Sequence, residues 1–257
     1  MSPLSAGLLG LLQALTEFLP ISSSGHLVLA RALFSVQEAG LAFDVAVHLG
    51  TLVSVLFFFR GELLSLFTDL FRVNAWRGGA IGQLAIATCP AVFAGLSLKD
   101  FLEAELAAPL PVSLALVFTG ITLLLFARRE GIYEAPTMKV ALLIGCAQAL
   151  AILPGISRAG MTITAGLLLG LSRDAAFRFS FLLSIPVIAG AGLLQGLDLL
   201  ESPPSAAALQ GMLIGAVVAG SVGLLVLGVL RKILVRGYFH HFGYYCLGVG
   251  LSALLYF

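Results

Sequence analysis

The feature that most constrains this chain is a series of apolar segments, two of which are interrupted at their centres. Stretches 41–59, 80–98, 112–127, 179–199, 209–230 and 242–257 are apolar enough, and close enough to the usual 17 to 25 or so residues, to cross a hydrocarbon core. Segment 4–34 is broken by Pro20 and the Ser22-Ser23-Ser24-Gly25 run, and segment 138–171 by Pro154-Gly155 and Arg158. Each break leaves two pieces too short to span, because proline removes a helical donor and clashes with the preceding turn. Such halves are expected to form re-entrant hairpins.

Composition agrees with a membrane protein. Hydrophobic residues make up 60% of the 257 and charged residues 11%, against roughly 25% charged in soluble domains. The net charge of +1 points away from nucleic acid as a partner. The first apolar run has neither a basic leader nor a small-residue cleavage site, so it reads as part of the mature chain. Cys89, Cys146 and Cys246 lie far apart in apolar runs, a spacing that suits free buried thiols rather than metal ligands or a disulfide framework.

With six crossings and two hairpins that return to their own side, every loop acquires a side. Arg60, Arg72, Arg77, Arg128, Arg129, Lys139, Arg173, Arg178, Arg231, Lys232 and Arg236 collect on one, against Arg31 and Lys99 on the other. The positive-inside rule makes the first side cytoplasmic. The first hairpin then dips in from outside and the second from the cytoplasm.

The hairpins also resemble each other. An offset of 135 matches eight of 21 positions between 10–30 and 145–165, including Gly10/Gly145, Gln13/Gln148, Ser22/Ser157 and Gly25/Gly160; an offset of 134 pairs Ala42-Phe43 with Ala176-Phe177. The expected architecture is one all-α membrane domain built of two halves, about 1–130 and 136–257, each a hairpin plus three crossings. An odd number of crossings inverts the second half relative to the first. The two breaks would then meet near the midplane, where irregular backbone requires surrounding protein or a wet cavity.

Those breaks carry the polar chemistry. Gln13 and Glu17 share one helical face, and a charge in the bilayer centre costs about 2.5–3.5 kcal/mol on insertion scales unless partnered. Ser22, Ser23 and Ser24 offer hydroxyls and freed amides to an anion, and His26, three residues after Ser23, suits proton transfer near neutral pH. From the second break come Arg158, whose forked donors match phosphate oxygens, and Ser157, Gly160 and Thr162. A carboxylate, an imidazole, hydroxyls and a guanidinium together describe a centre that holds phosphate and stabilises developing negative charge. His48 reads as a hydrogen-bonded interior residue, and His240 and His241 as interfacial. Asp44 and Arg178 occupy related positions and could pair. Residues 99–105 read as a solvated exterior loop.

QALTEFLPISSSGHL and QALAILPGISRAGMTITAGLLLGLSRDAAFRFSFLLSIP resemble the two signature regions of the bacterial undecaprenyl-diphosphatase family, also called bacitracin-resistance proteins. The likeness extends along the chain. It implies hydrolysis of C55 isoprenyl diphosphate to the monophosphate carrier lipid and inorganic phosphate, at the outer face of the bacterial cytoplasmic membrane, with Mg²⁺ or Ca²⁺ as cofactor. The resemblance assigns Glu17 to cation or base, Ser23 and His26 as rival nucleophiles, and Arg158 to the diphosphate. The chain departs from the family pattern at Gln13, where an acid is common, and at Ala159, where a serine is. The expected partners are the isoprenyl diphosphate and membrane lipids, and the chain is compatible with a homodimer. A transporter or flippase for an anionic substrate is the competing reading, since inverted repeats with broken helices also build transporters.

Overall fold

The computed structural model describes residues 1–34, 41–71, 76, 78–101, 106–201 and 205–257. These are helical apart from turns and one isolated bridge between Tyr133 and Leu171. In chain order the α-helices are α1 (Pro3–Phe18), α2 (Ser23–Phe34), α3 (Leu41–Phe58), α4 (Arg60–Asp69), α5 (Ala80–Phe101) and α6 (Pro109–Phe126). Then follow α7 (Met138–Leu150), α8 (Arg158–Leu168), α9 (Arg173–Glu201), α10 (Ala206–Val235) and α11 (Phe242–Tyr256). Starts are marked by side-chain caps: Ser2 accepts from the Ser5 amide ahead of α1, Thr137 from Val140 ahead of α7, and Ser205 from Ala208 ahead of α10.

Helices α5, α6, α9 and α10 are long and apolar enough to cross a membrane, and α3 with α4 forms a fifth candidate bent by 76°. The bend falls at Phe59, whose backbone leaves the helical region (φ −99°, ψ 21°) while its ring is buried. The sequence does not announce α4, because the polar residues after Phe59 read as a loop. α11 has only 15 residues, or about 22 Å of helix, shorter than the roughly 30 Å hydrocarbon core. Of the loop expected at 99–105, the first residues continue α5 to Phe101; positions 102–105, like Arg72 and Arg77, lie outside the described residues.

The two hairpins pack in matching ways. α1 runs alongside α10 in the same direction: a Cβ built on Gly10 would stand 2.5 Å from the Gly215 carbonyl oxygen, and Phe18 reaches Gly223, just past the middle of α10. α7 runs alongside α5, where a Cβ on Gly145 would stand 2.3 Å from the Ala87 carbonyl oxygen. Small residues permit such close approach, the main source of helix association where lipid offers no hydrophobic drive. α3 also lies along α10, and α6 along α11.

Phe18, Phe59, Phe177 and Phe181 are fully buried and pack against one another in the core, with Phe177 and Phe181 ring centroids 4.8 Å apart. At one end of the bundle Arg173 meets Glu130, Arg178 meets Glu134 and Asp174, and Arg231 meets Asp174. Asp44 pairs instead with Arg31 and Arg178 with Glu134 and Asp174, so of the roles open to Asp44 and Arg178 the mutual pair does not form. Cys246 is buried, but Cys89 and Cys146 are exposed, which corrects the expectation of three buried thiols.

Candidate active site

The site forms where the two breaks touch. A Cβ on Gly25 would stand 2.9 Å from the Gly155 Cα, and one on Gly155 2.5 Å from the Val112 carbonyl oxygen, so both positions need glycine. Gly155 also has φ +95°, a region open to glycine. Thr119 of α6 ties the second turn down: its hydroxyl donates to the Gly155 carbonyl (3.1 Å) and accepts from the Ser157 amide (3.2 Å).

Each turn ends in the same cap. Ser22 Oγ accepts from the Gly25 amide at 3.3 Å, and Ser157 Oγ from the Gly160 amide at 3.1 Å. Ser22 holds this place at φ +68°, a conformation that non-glycine residues adopt rarely and at a cost. Ser22, Ser157 and the Gly160 amide, assigned to substrate from the sequence, are thus engaged with the backbone and buried. Thr162 is likewise buried, donating to the Arg158 carbonyl or to Ser180 Oγ, which lies 2.6 Å away. Ser24 stays exposed, 3.4 Å from Ser22 Oγ.

Glu17, on the last turn of α1, is the hub. Its Oε1 accepts from Arg158 Nη2 at 2.9 Å, and its Oε2 from Ser23 Oγ at 2.7 Å and Gln13 Nε2 at 3.2 Å. His48 Nε2 stands 3.7 Å from the same Oε2, with Nδ1–H donating to the Asp44 carbonyl. The glutamate side chain is 10% exposed and Arg158 15%. Arg158 also lies over the Phe181 ring, 5.7 Å from its centroid, so the aromatic core backs the guanidinium. Its Nη1 is buried with no hydrogen-bond partner among the described residues, and so is Gln13 Oε1. An unpaired buried donor on a cation is costly, and an anionic oxygen would relieve it.

His26 faces elsewhere. Its Nδ1 meets the Ser22 carbonyl at 2.8 Å and its Nε2 the Tyr245 hydroxyl at 2.8 Å, with the two rings stacked 5.6 Å apart. A carbonyl only accepts, so Nδ1 carries the proton and the neutral ring receives a hydrogen bond from Tyr245 at Nε2. The geometry therefore brings together Gln13, Glu17, Ser23 and Arg158, and gives Ser23 a carboxylate partner instead of His26.

Three contributors escaped the sequence reading. His48 carried a signal, an ionisable residue within an apolar helix, but nothing named its partner. Thr119 and Tyr245 carried none, since hydroxyls and aromatics are ordinary in membrane helices.

A hydroxyl hydrogen-bonded to a carboxylate, beside a guanidinium with a free donor, can activate an oxygen nucleophile and hold the anion it attacks. Fold and site together define a polytopic helical membrane protein with a buried cluster of paired charges and hydroxyls at its centre. A family profile described as "Bacitracin resistance protein BacA" matches residues 6–252, and the chain belongs to that family. It is 41% identical to an undecaprenyl-diphosphatase of Trichlorobacter lovleyi, covering 99% of this chain and 98% of that one. It is 40% identical to one of Geobacter metallireducens (100% and 98% covered) and 38% identical to one of Elusimicrobium minutum (99% and 98%).

Proposed function

We propose that this protein hydrolyses undecaprenyl diphosphate to undecaprenyl phosphate and inorganic phosphate. The observation that carries the reading is the contact of Ser23, Glu17 and Arg158 in one buried cluster. Arg158 Nη1, which has no partner among the described residues, receives the diphosphate oxygens. Ser23 Oγ attacks the terminal phosphorus in line, and Glu17 Oε2, 2.7 Å away, accepts its proton. The anhydride P–O bond breaks and undecaprenyl phosphate leaves with the bridging oxygen, to which Glu17 passes the proton, restoring its carboxylate. Water, deprotonated by Glu17, then cleaves the Ser23 phosphoester, releasing phosphate and returning a proton to Ser23. Ser23 is favoured over His26 because Nε2 of His26 is engaged by Tyr245.

A divalent cation fits this centre. Among the described residues no three His, Cys, Asp or Glu side chains gather, but Glu17 and the unpaired carbonyl oxygen of Gln13 are hard donors. Mg²⁺ and Ca²⁺ accept such oxygens, and Mg²⁺ commonly takes others from substrate phosphates. When bound, the cation would neutralise phosphate charge. Gln13 and Glu17 would hold it.

The topology that suits this chemistry has six crossings and two re-entrant hairpins in an inverted repeat. Its support is the equivalence of α1 on α10 with α7 on α5, the matching caps at Ser22 and Ser157, and the return of α1 at the level of Gly223. On this reading the end holding Arg173, Arg178 and Arg231 is cytoplasmic, and the site opens toward the outer side of the bacterial inner membrane.

Incubating purified protein with undecaprenyl diphosphate and measuring phosphate tests the reading; intact substrate would favour a carrier. Acid quenching and peptide mapping locate any phosphoenzyme, with label expected on Ser23.

A further inference from the structure

The mechanism leaves the lipid tail unplaced. Beside the site, α2 and α11 diverge around a groove of about 480 Å³ lined by His26, Leu29 and Leu33 on one wall and Gly248, Ser252 and Tyr256 on the other. That volume lies within the range of about 300–1,000 Å³ usual for ligand cavities. Both walls follow helical spacing, three or four residues apart. The groove exists because α11 is small there: a Cβ built on Gly248 would meet no atom within 4 Å.

The groove reaches the first turn at His26, while Gln13, Glu17, Ser23 and Arg158 do not line it. His26 heads it, held through Nδ1 by the Ser22 carbonyl of the first turn and through Nε2 by Tyr245. Tyr245 lies on α11 three residues before Gly248, on the same face as Ser252 and Tyr256. Two other grooves are less suitable. The one between α3 and α10 is larger, about 670 Å³, but no residue of either turn lines it. The one beside Gln13 holds about 220 Å³ and has the Arg31–Asp44 ion pair among its lining residues.

A prenyl diphosphate whose phosphates sit against Arg158 must lead an apolar chain out of a polar pocket. We propose that the α2–α11 groove seats the first isoprene units of the substrate, with the stacked His26–Tyr245 pair at its polar end. This rests on the hydrolase reading above. Through the groove, the protein would discriminate prenyl diphosphates by chain length.

The test fills the groove without disturbing the fold. Gly248→Leu places its side chain in open space, and Gly228→Leu on α10, where a Cβ also meets nothing within 4 Å, is the control. Phosphate release is measured with the full chain on undecaprenyl, farnesyl and dimethylallyl diphosphates, alongside thermal melting. With melting unchanged, Gly248→Leu is expected to lower kcat/KM for undecaprenyl relative to dimethylallyl diphosphate by roughly tenfold, mainly through KM. Gly228→Leu keeps the wild-type ratio. A wild-type ratio in Gly248→Leu, or an equal loss on all three substrates, would overturn the proposal and leave the groove to bulk acyl chains. If the wild type releases phosphate from none of them, the hydrolase reading itself fails and the groove loses its ligand with it.

Discussion

Arg158 Nη2 donates to Glu17 Oε1 at 2.9 Å, joining residues 141 positions apart in sequence. Among the described residues neither charge has a closer ionic partner, since His48 stands at 3.7 Å from Glu17 and Arg158 Nη1 has no hydrogen-bond partner there. Removing one member of such a pair strands the other. Breaking a buried pair costs about 3–5 kcal/mol when one partner is deleted. Arg158→Ala should therefore lower the melting temperature as well as cut phosphate release by about a hundredfold to a thousandfold. Arg158→Lys keeps the charge but loses the fork and should recover stability more than activity. Melting curves and steady-state assays on both variants check this.

The serines of the two turns should separate cleanly. Ser23→Ala removes the hydroxyl bonded to Glu17 and should abolish phosphate release by about a thousandfold or more, with melting near wild type. Ser157→Ala removes a helix cap and should cost about 1 kcal/mol of stability while activity stays measurable. Comparing the two variants by thermal melting and phosphate release distinguishes a reacting hydroxyl from a capping one.

Gly25→Ala places a methyl 2.9 Å from the Gly155 Cα, a backbone atom that cannot rotate away. Overpacking of this kind costs about 1–3 kcal/mol, and relief requires the two turns to separate. The variant is expected to fold less stably and to lose activity even though no reacting group is altered. Retention of full activity would show that the turns need not touch.

Gln13 provides a test of the cation. Gln13→Ala should raise the Mg²⁺ or Ca²⁺ concentration needed for half-maximal phosphate release, and Gln13→Glu should lower it, because a second carboxylate binds a hard cation more tightly than an amide oxygen. Titrating chelator-treated protein with each metal measures the shift.

How much of this was readable beforehand follows from energetics. Glu17 and Arg158 stood out because a charge in an apolar segment needs an explanation, and the broken segments placed both at turns. The local meaning of Ser22 and Ser157 was harder to read. The same hydroxyl can cap a helix or bind a ligand, and only the Gly25 and Gly160 amides decide between them. The partner of Ser23 depends on how α1 and α2 fold against each other, so spacing along a helix pointed to His26 while the tertiary turn supplied Glu17. Tyr245 lies 219 residues from His26 in the chain, and no local pattern links them. The bend at Phe59 came from packing, to which hydropathy alone is blind, whereas the last helix coincides with the apolar stretch 242–257.

The most direct measurement is a double-mutant cycle on phosphate release, using Glu17→Gln and Arg158→Met singly and together. If the two side chains act as one centre, each single change removes most of the rate and the double variant is little worse than either, because coupled groups are strongly non-additive. Losses that multiply, or a single variant that keeps near wild-type turnover, would contradict it.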